Sequence, residues 1–78
     1  MKKRMCELGV GESALIDDNF AQADLRRRLL DIGVVSGEVV GCVGRSPFGD
    51  PTAYLIKGAV IAIRKSDSSK IIVVTKTP

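Results

Sequence analysis

From Ser36 to the C-terminus, the chain is a series of short apolar segments separated by glycine, proline or polar residues. Segments of this length and composition are typical of β-strands. Lys57 and Gly58 connect two of them, and a two-residue connection that ends in glycine predicts a tight hairpin. Together with an earlier apolar run, the pattern predicts five strands, over residues 13–16, 38–44, 52–56, 59–64 and 71–74.

One segment has the spacing of an amphipathic helix. Leu25, Leu29 and Ile32 are four and three residues apart, so they share one helix face. Gly33 follows directly, in the position of a helix-ending glycine with a left-handed backbone. Asn19 is the expected N-cap. Two acid–base pairs are expected along this helix: Asp24 with Arg28, and Arg27 with Asp31.

The 78 residues are expected to form a single domain over residues 1–78, too small for separate cofactor and substrate domains. Aromatic residues make up 4% of the chain, so aliphatic side chains must form most of the core. Short strands with one main helix predict a mainly β fold, a small five-stranded barrel that the helix covers at one end. Residues 1–5 are expected to form a flexible tail.

The charge balance is 12 basic against 9 acidic residues, a net charge of +3. Lys2, Lys3 and Arg4 lie in the expected tail, and without them the balance is nine against nine. A protein that binds nucleic acid normally concentrates positive charge on its folded face. No nucleic-acid partner is therefore expected.

The sequence contains no apolar run near the roughly 20 residues that span a bilayer. The basic N-terminus is followed by Cys6-Glu7-Leu8-Gly9, which is not the apolar stretch of a signal peptide. We therefore expect a cytoplasmic protein with no direct membrane insertion. In a reducing compartment, Cys6 and Cys42 are expected to be free thiols.

The chain contains no histidine, and its two cysteines are 36 positions apart. This excludes histidine-assisted nucleophiles and argues against a tight zinc site. We expect a protein that is not an enzyme and has no cofactor. Asp17, Asp18 and Asp24 offer oxygen ligands for at most a weak or transient contact with Fe²⁺. Negative charge near a helix N-terminus is favourable without any metal.

The segment Ser46–Pro51 has the composition of a rigid loop. Serine, proline and glycine at the first, second and fourth positions predict a type I turn with Phe48 at its tip. Pro51 favours an extended Asp50. Phe48 either covers the open end of the barrel or, with Tyr54, presents an apolar anchor to a partner protein.

Three consecutive arginines, Arg26–Arg28, are the most prominent charge feature of the helix. Such a run is typical of a solvated helix face that neighbouring carboxylates neutralise. The alternative is an electrostatic contact with an acidic partner surface.

Four segments taken together resemble the FeoA family, small cytoplasmic proteins of bacterial ferrous iron transport. The family pattern is an RRL helix ending in glycine, a PG turn, an APLGDP loop and an IALR strand. Ser36, Ser46 and Phe48 depart from it, and the resemblance covers residues 7–74. The matching segments here are RRLLDIGV (27–34), SGEVV (36–40), SPFGDP (46–51) and AIR (62–64).

The resemblance implies an SH3-like barrel, shared with the C-terminal domain of diphtheria-toxin-repressor-like regulators. It also implies contact with the cytosolic part of a FeoB-like GTP-binding membrane transporter, in a regulatory or accessory role. The alternatives are a general SH3-like adaptor of a metal-responsive system and an RNA-binding small barrel. The candidate partner-binding residues are Arg26, Arg27, Arg28, Pro47, Phe48, Gly49, Asp50 and Tyr54.

Overall fold

The computed structural model describes residues 1–75. Six strands form one antiparallel sheet with the order β1-β6-β2-β3-β4-β5. The mainly β fold with one main helix is confirmed, although the described part has six strands where five were expected. The strands are β1 Lys2–Arg4, β2 Ser13–Asn19, β3 Val39–Arg45, β4 Thr52–Ile56, β5 Ala59–Ile63 and β6 Ile71–Val74. The helices are α1 Ala23–Asp31 and α2 Lys65–Ser68, and Met5–Glu7 forms a 3-10 turn.

The prediction of a flexible tail over residues 1–5 is wrong. Strand β1 pairs with β6, with Lys2 opposite Val74 and Arg4 opposite Ile72. Met5 follows directly and is fully buried in the core. The backbone pairing and the burial of this apolar side chain offset the entropy lost by ordering the segment.

Helix α1 begins after Gln22, so the predicted N-cap at Asn19 is wrong. Asn19 ends β2, where its Oδ1 atom accepts a hydrogen bond from the backbone N–H of Ala21 at 3.1 Å. At the other end, Gly33 has φ +104°, which confirms the left-handed glycine. A Cβ at this position would lie 3.1 Å from Cγ2 of Ile56, so glycine also permits the helix end to approach β4.

The strands bury alternate residues, as a sheet with one covered face requires. In β4, Tyr54 and Ile56 are buried and Leu55 is exposed. Helix α1 adds Leu29 to the same core. The core is therefore mainly aliphatic, with Tyr54 as the aromatic member among the described residues. Its largest fully buried side chains are Tyr54, Met5, Leu8, Ile56, Ile71, Val34, Val40 and Val73.

The hairpin between β4 and β5 is the predicted tight turn. Lys57 has φ +51° and Gly58 has φ +80°, the pair of positive values that a type I′ turn needs. Ile56 and Ala59 face each other across it. The turn fixes the register of β5, the last strand at one edge of the sheet.

Candidate protein-contact surface

The loop between β3 and β4 is held by its own hydrogen bonds. The backbone N–H of Gly49 donates to the carbonyl of Ser46 at 2.8 Å, which closes the predicted turn. Ser46 also donates its hydroxyl to the carbonyl of Asp50 at 2.7 Å and its backbone N–H to that of Pro51 at 3.1 Å. Gly49 has φ +85°, a left-handed backbone that disfavours side chains with a Cβ.

Asp50 ties this loop to helix α2. Its Oδ1 atom accepts a hydrogen bond from the backbone N–H of Lys65 at 2.8 Å. Lys65 is the first residue of α2, whose early N–H groups have no partner within the helix. Asp50 is therefore a bracing residue that fixes the loop relative to α2.

Phe48 is almost completely exposed, at 95% of its maximum accessible surface. The interpretation in which it covers the open end of the barrel is wrong. The turn places Phe48 outside the sheet, and the core already holds the larger side chain of Tyr54. The described structure thus leaves an apolar aromatic ring on a loop that is braced at its base.

Tyr54 does not belong to the contact surface, contrary to the prediction. It is 1% exposed, and its hydroxyl donates a hydrogen bond to the carbonyl of Met5 at 3.3 Å. Burial of the hydroxyl raises the pKa of Tyr54 above its ordinary value. Tyr54 shares the inward face of β4 with Thr52 and Ile56, so its side chain does not face a partner.

Arg26, Arg27 and Arg28 are all exposed, and the predicted pairs with Asp24 and Asp31 do not form. An exposed pair gains little in water and must immobilise two long side chains. The ion pairs of residues 1–75 are Lys2–Asp17, Lys3–Glu12, Arg4–Glu7 and Lys57–Glu38. The helix arginines therefore form no ion pair within residues 1–75, and the helix carries three arginines against two aspartates.

The arginines do not act as one patch. Arg28 lines a groove between α1 and the end of β5, together with Arg64. Arg26 and Arg27 line a separate depression beside Leu30. The hydrogen bond from Lys65 to Asp50 places the Phe48 loop beside α2, and Arg64, the residue before α2, lines the groove of Arg28.

Sequence reasoning did not select Arg64 or the groove that it lines. Arg64 is the last residue of the AIR segment in the family resemblance, and that segment was the sequence signal that could have identified it. The groove itself arises where α1 packs beside β5, an arrangement that no local pattern encodes.

The described residues contain no cluster of three or more histidine, cysteine, aspartate or glutamate side chains suited to a metal ion. Cys6 and Cys42 are free thiols, Cys42 being buried. Asp17 is paired with Lys2 at 3.2 Å, and Asp18 accepts a hydrogen bond from the backbone N–H of Asn19. None of the helices within residues 1–75 is long and apolar enough to cross a membrane.

Two carboxylates fix the N-terminal segment. Glu7 accepts a hydrogen bond from the backbone N–H of Arg4 at 2.8 Å, and this bond lowers the pKa of Glu7. Glu12 accepts one from the backbone N–H of Gly9 at 2.9 Å. That bond, followed by the side-chain bond from Lys3, lowers the pKa of Glu12. Both carboxylates close local turns and lie apart from the Phe48 loop in sequence.

A family model described as the FeoA domain matches residues 3–75, nearly all of the described chain. The chain belongs to the FeoA family. The match confirms the resemblance that the four sequence segments indicated.

This FeoA domain is 33% identical over 68 residues to a protein of Porphyromonas gingivalis named as an Fe(2+) transport protein A/Fe(2+) transporter FeoB fusion protein. The aligned part is 87% of this chain and 8% of the relative. The chain thus spans less than a tenth of the length of the curated relative that it matches.

Solved structures confirm the SH3-like fold. The FeoA protein of Chlorobium tepidum superimposes with a TM-score of 0.89 at 28% identity, over 96% of this chain and 71% of that one. Stenotrophomonas maltophilia FeoA, described as a prokaryotic SH3 domain protein complexed with zinc, gives 0.78 at 29% identity, over 92% and 89%. The fold alone is shared with T. acidophilum IdeR, at 0.83 and 21% identity, over 96% and 34%.

Proposed function

We propose that this FeoA domain is an accessory of ferrous iron transport that acts by binding the cytosolic part of a FeoB-like transporter. The observation that carries the proposal is the Porphyromonas gingivalis relative, whose name joins protein A and FeoB in one chain. Fusion holds two modules at an effective concentration on the order of millimolar, which favours a direct contact between them.

The Phe48 loop supports a role in contact. Its hydrogen bonds fix the turn before a partner arrives, so little entropy is lost on binding. Buried aromatic anchors dominate the binding energy of many interfaces. Phe48 is therefore the proposed anchor, with Pro47, Gly49 and Asp50 as the frame that holds it.

The helix arginines support a second contribution. Arg26, Arg27 and Arg28 have no carboxylate partner among residues 1–75, so their charge is available to an acidic surface. Exposed charges of this kind mainly accelerate association and add specificity. We assign Arg26 and Arg27, which lie apart from the groove of Arg28, to steering rather than to anchoring.

The proposal gives the domain no catalytic step and no bound cofactor. A chain without histidine lacks the usual general base of a nucleophilic site. It also gives the domain no nucleic-acid partner, because no aromatic side chain lies between the helix arginines to stack on bases.

Isothermal titration calorimetry with the purified cytosolic part of the transporter tests the proposal. We expect a one-to-one complex with Kd on the order of micromolar, about −8 kcal/mol. The titration is run without nucleotide, with GDP and with a non-hydrolysable GTP analogue, because the transporter's nucleotide state can select the competent surface. Absence of binding at high micromolar concentration in all three conditions would overturn the proposal in favour of a general adaptor.

A further inference from the structure

Strand β5 is an edge of the sheet whose own residues do not block pairing. It is the last strand in the order, and its five residues, Ala59–Ile63, include no charge and no proline. Most native edge strands carry such residues, which prevent pairing with other chains. An edge without them is a ready template for an added strand.

The hairpin turn determines which backbone groups of β5 point outward. In a two-residue hairpin the closing pair, here Ile56 and Ala59, is hydrogen-bonded, and every second pair after it is as well. Val60 and Ala62 therefore direct their N–H and C=O groups away from β4. No backbone hydrogen bond joins either residue to another element within residues 1–75. Val60 is also 62% exposed.

A groove of about 560 Å³ lies beside the end of this edge. Its apolar lining from α1 consists of Leu25, Leu29 and Ile32. Arg28 and Arg64 line it as well, and neither has an ion pair or a side-chain hydrogen bond within the described residues. The lining includes one carboxylate, Asp67, so positive charge is in excess.

We propose that the β5 edge binds an extended segment of a protein partner, which pairs with Val60 and Ala62 as an additional strand. An apolar side chain of the segment enters the groove, and a carboxylate of the segment binds Arg28 and Arg64. Main-chain hydrogen bonds then supply affinity, and the groove supplies the preference for an acidic, apolar sequence. The inference rests on the proposed function, since it specifies how a protein partner is held.

A second copy of this chain is a poorer occupant. Pairing of β5 with itself would bring residues 57–65 of both copies together. That segment contains Lys57, Arg64 and Lys65 and no acidic residue. It offers no carboxylate to the arginines and places like charges side by side.

The probe is the blocked heptapeptide acetyl-Thr-Val-Thr-Glu-Thr-Val-Thr-amide, which places valine, glutamate and valine on one face of a strand. Its matched control has lysine in place of glutamate. In an NMR titration of the full chain to millimolar peptide, we expect shifts at β5 and α1. Hydrogen exchange at Val60 and Ala62 should slow at least about tenfold at saturation. The lysine peptide, and the glutamate peptide on Arg64→Gln, should each bind about tenfold more weakly.

Ala62→Pro removes an outward N–H that β4 does not use, so the ladder with β4 is retained and peptide binding is lost. If Ala62→Pro lowers the melting temperature, two peptides that are N-methylated on alternate residues replace this variant. The peptide methylated on the N–H groups that face β5 should not bind, and the peptide methylated on the other set should bind. Equal loss with both patterns, or shifts confined to other surfaces, would overturn the proposal.

The same exchange measurement separates this inference from the proposed function. Binding of the transporter's cytosolic part without protection of Val60 and Ala62 would overturn the edge proposal alone. Peptide protection at the edge without binding of that cytosolic part would support the edge proposal and overturn the transporter as partner. Concentration-dependent dimerisation with protection at β5 and no response to peptide would overturn the acidic occupant in favour of a second copy.

Discussion

The hydroxyl of Tyr54 donates a hydrogen bond to the backbone carbonyl of Met5, across an oxygen–oxygen distance of 3.3 Å, and both residues are fully or almost fully buried. The bond joins β4 to the 3-10 turn that follows β1. The N-terminal segment is therefore part of the folded core, and the single tyrosine of the chain is a structural residue.

Tyr54→Phe should reduce the free energy of unfolding by about 0.5–1.5 kcal/mol, the usual contribution of one hydrogen bond. The loss stays in this range because the carbonyl of Met5 also accepts a bond from the backbone N–H of Leu8. Urea unfolding measures the change. An unchanged unfolding midpoint would show that the Tyr54–Met5 bond does not contribute to stability.

Alkaline pH should destabilise the wild-type domain through the same residue. Burial raises the pKa of Tyr54, so the unfolded chain loses the phenolic proton first, near the ordinary tyrosine value of about 10. The contribution of Tyr54 to the free energy of unfolding is fully present below that pH and is lost as pH rises through the raised pKa of the folded state. The free energy of unfolding of the Tyr54→Phe variant should decrease less steeply over the same pH range. Equal slopes in wild type and variant would contradict the burial of this hydroxyl.

Gly49→Ala should cost about 1–2 kcal/mol, because an alanine at φ +85° adopts a left-handed backbone. Gly44→Ala is the matched control: it has open space around its Cβ position and no left-handed φ. We expect its effect on stability to be much smaller. Gly49→Asn should recover part of the loss, since asparagine tolerates this conformation. Equal melting temperatures for the two alanine variants would contradict the turn geometry.

Phe48→Ala should weaken binding to the transporter's cytosolic part by about 2 kcal/mol, which is the effect of losing an anchor residue. Its melting temperature should not change, because the side chain is exposed. Phe48→Leu retains an apolar side chain and should lose less affinity, and Val10→Ala controls for an exposed apolar residue on another turn. Calorimetry that gives Phe48→Ala the same affinity as Val10→Ala would exclude Phe48 as the anchor.

Arg26→Ala should slow association with the same partner and make the association rate less dependent on salt, while dissociation changes little. Lys70→Ala removes the same charge from another exposed position and serves as the control. Stopped-flow or interferometry measures both rates. If both variants slow association equally, net charge rather than the helix face directs the encounter.

Local sequence predicted those parts of the fold that short-range chemistry specifies. Gly33 ends the helix, and Lys57 with Gly58 closes the hairpin, because each has the backbone that its position requires. The turn from Ser46 to Gly49 follows from the same reasoning. In each case the determining residues are neighbours in the chain.

The parts that sequence reasoning missed depend on distant contacts. Lys2–Arg4 becomes a strand only because β6, about 70 residues later, lies beside it. Tyr54 and Phe48 are both aromatic residues next to or within the same loop, yet one fills the core and the other is exposed. Their opposite positions follow from the inward and outward alternation of β4 and from the turn, not from hydrophobicity.

An NMR titration of this FeoA domain with the cytosolic part of the transporter shows both whether the two proteins bind and which residues form the contact. We expect saturable shifts that include the Pro47–Asp50 loop and α1, with Phe48 among the most affected. We also expect that Phe48→Ala requires about thirtyfold more partner to produce the same shifts. Unchanged spectra at high micromolar partner, in every nucleotide state, would contradict the claim that this domain acts by direct contact with the transporter.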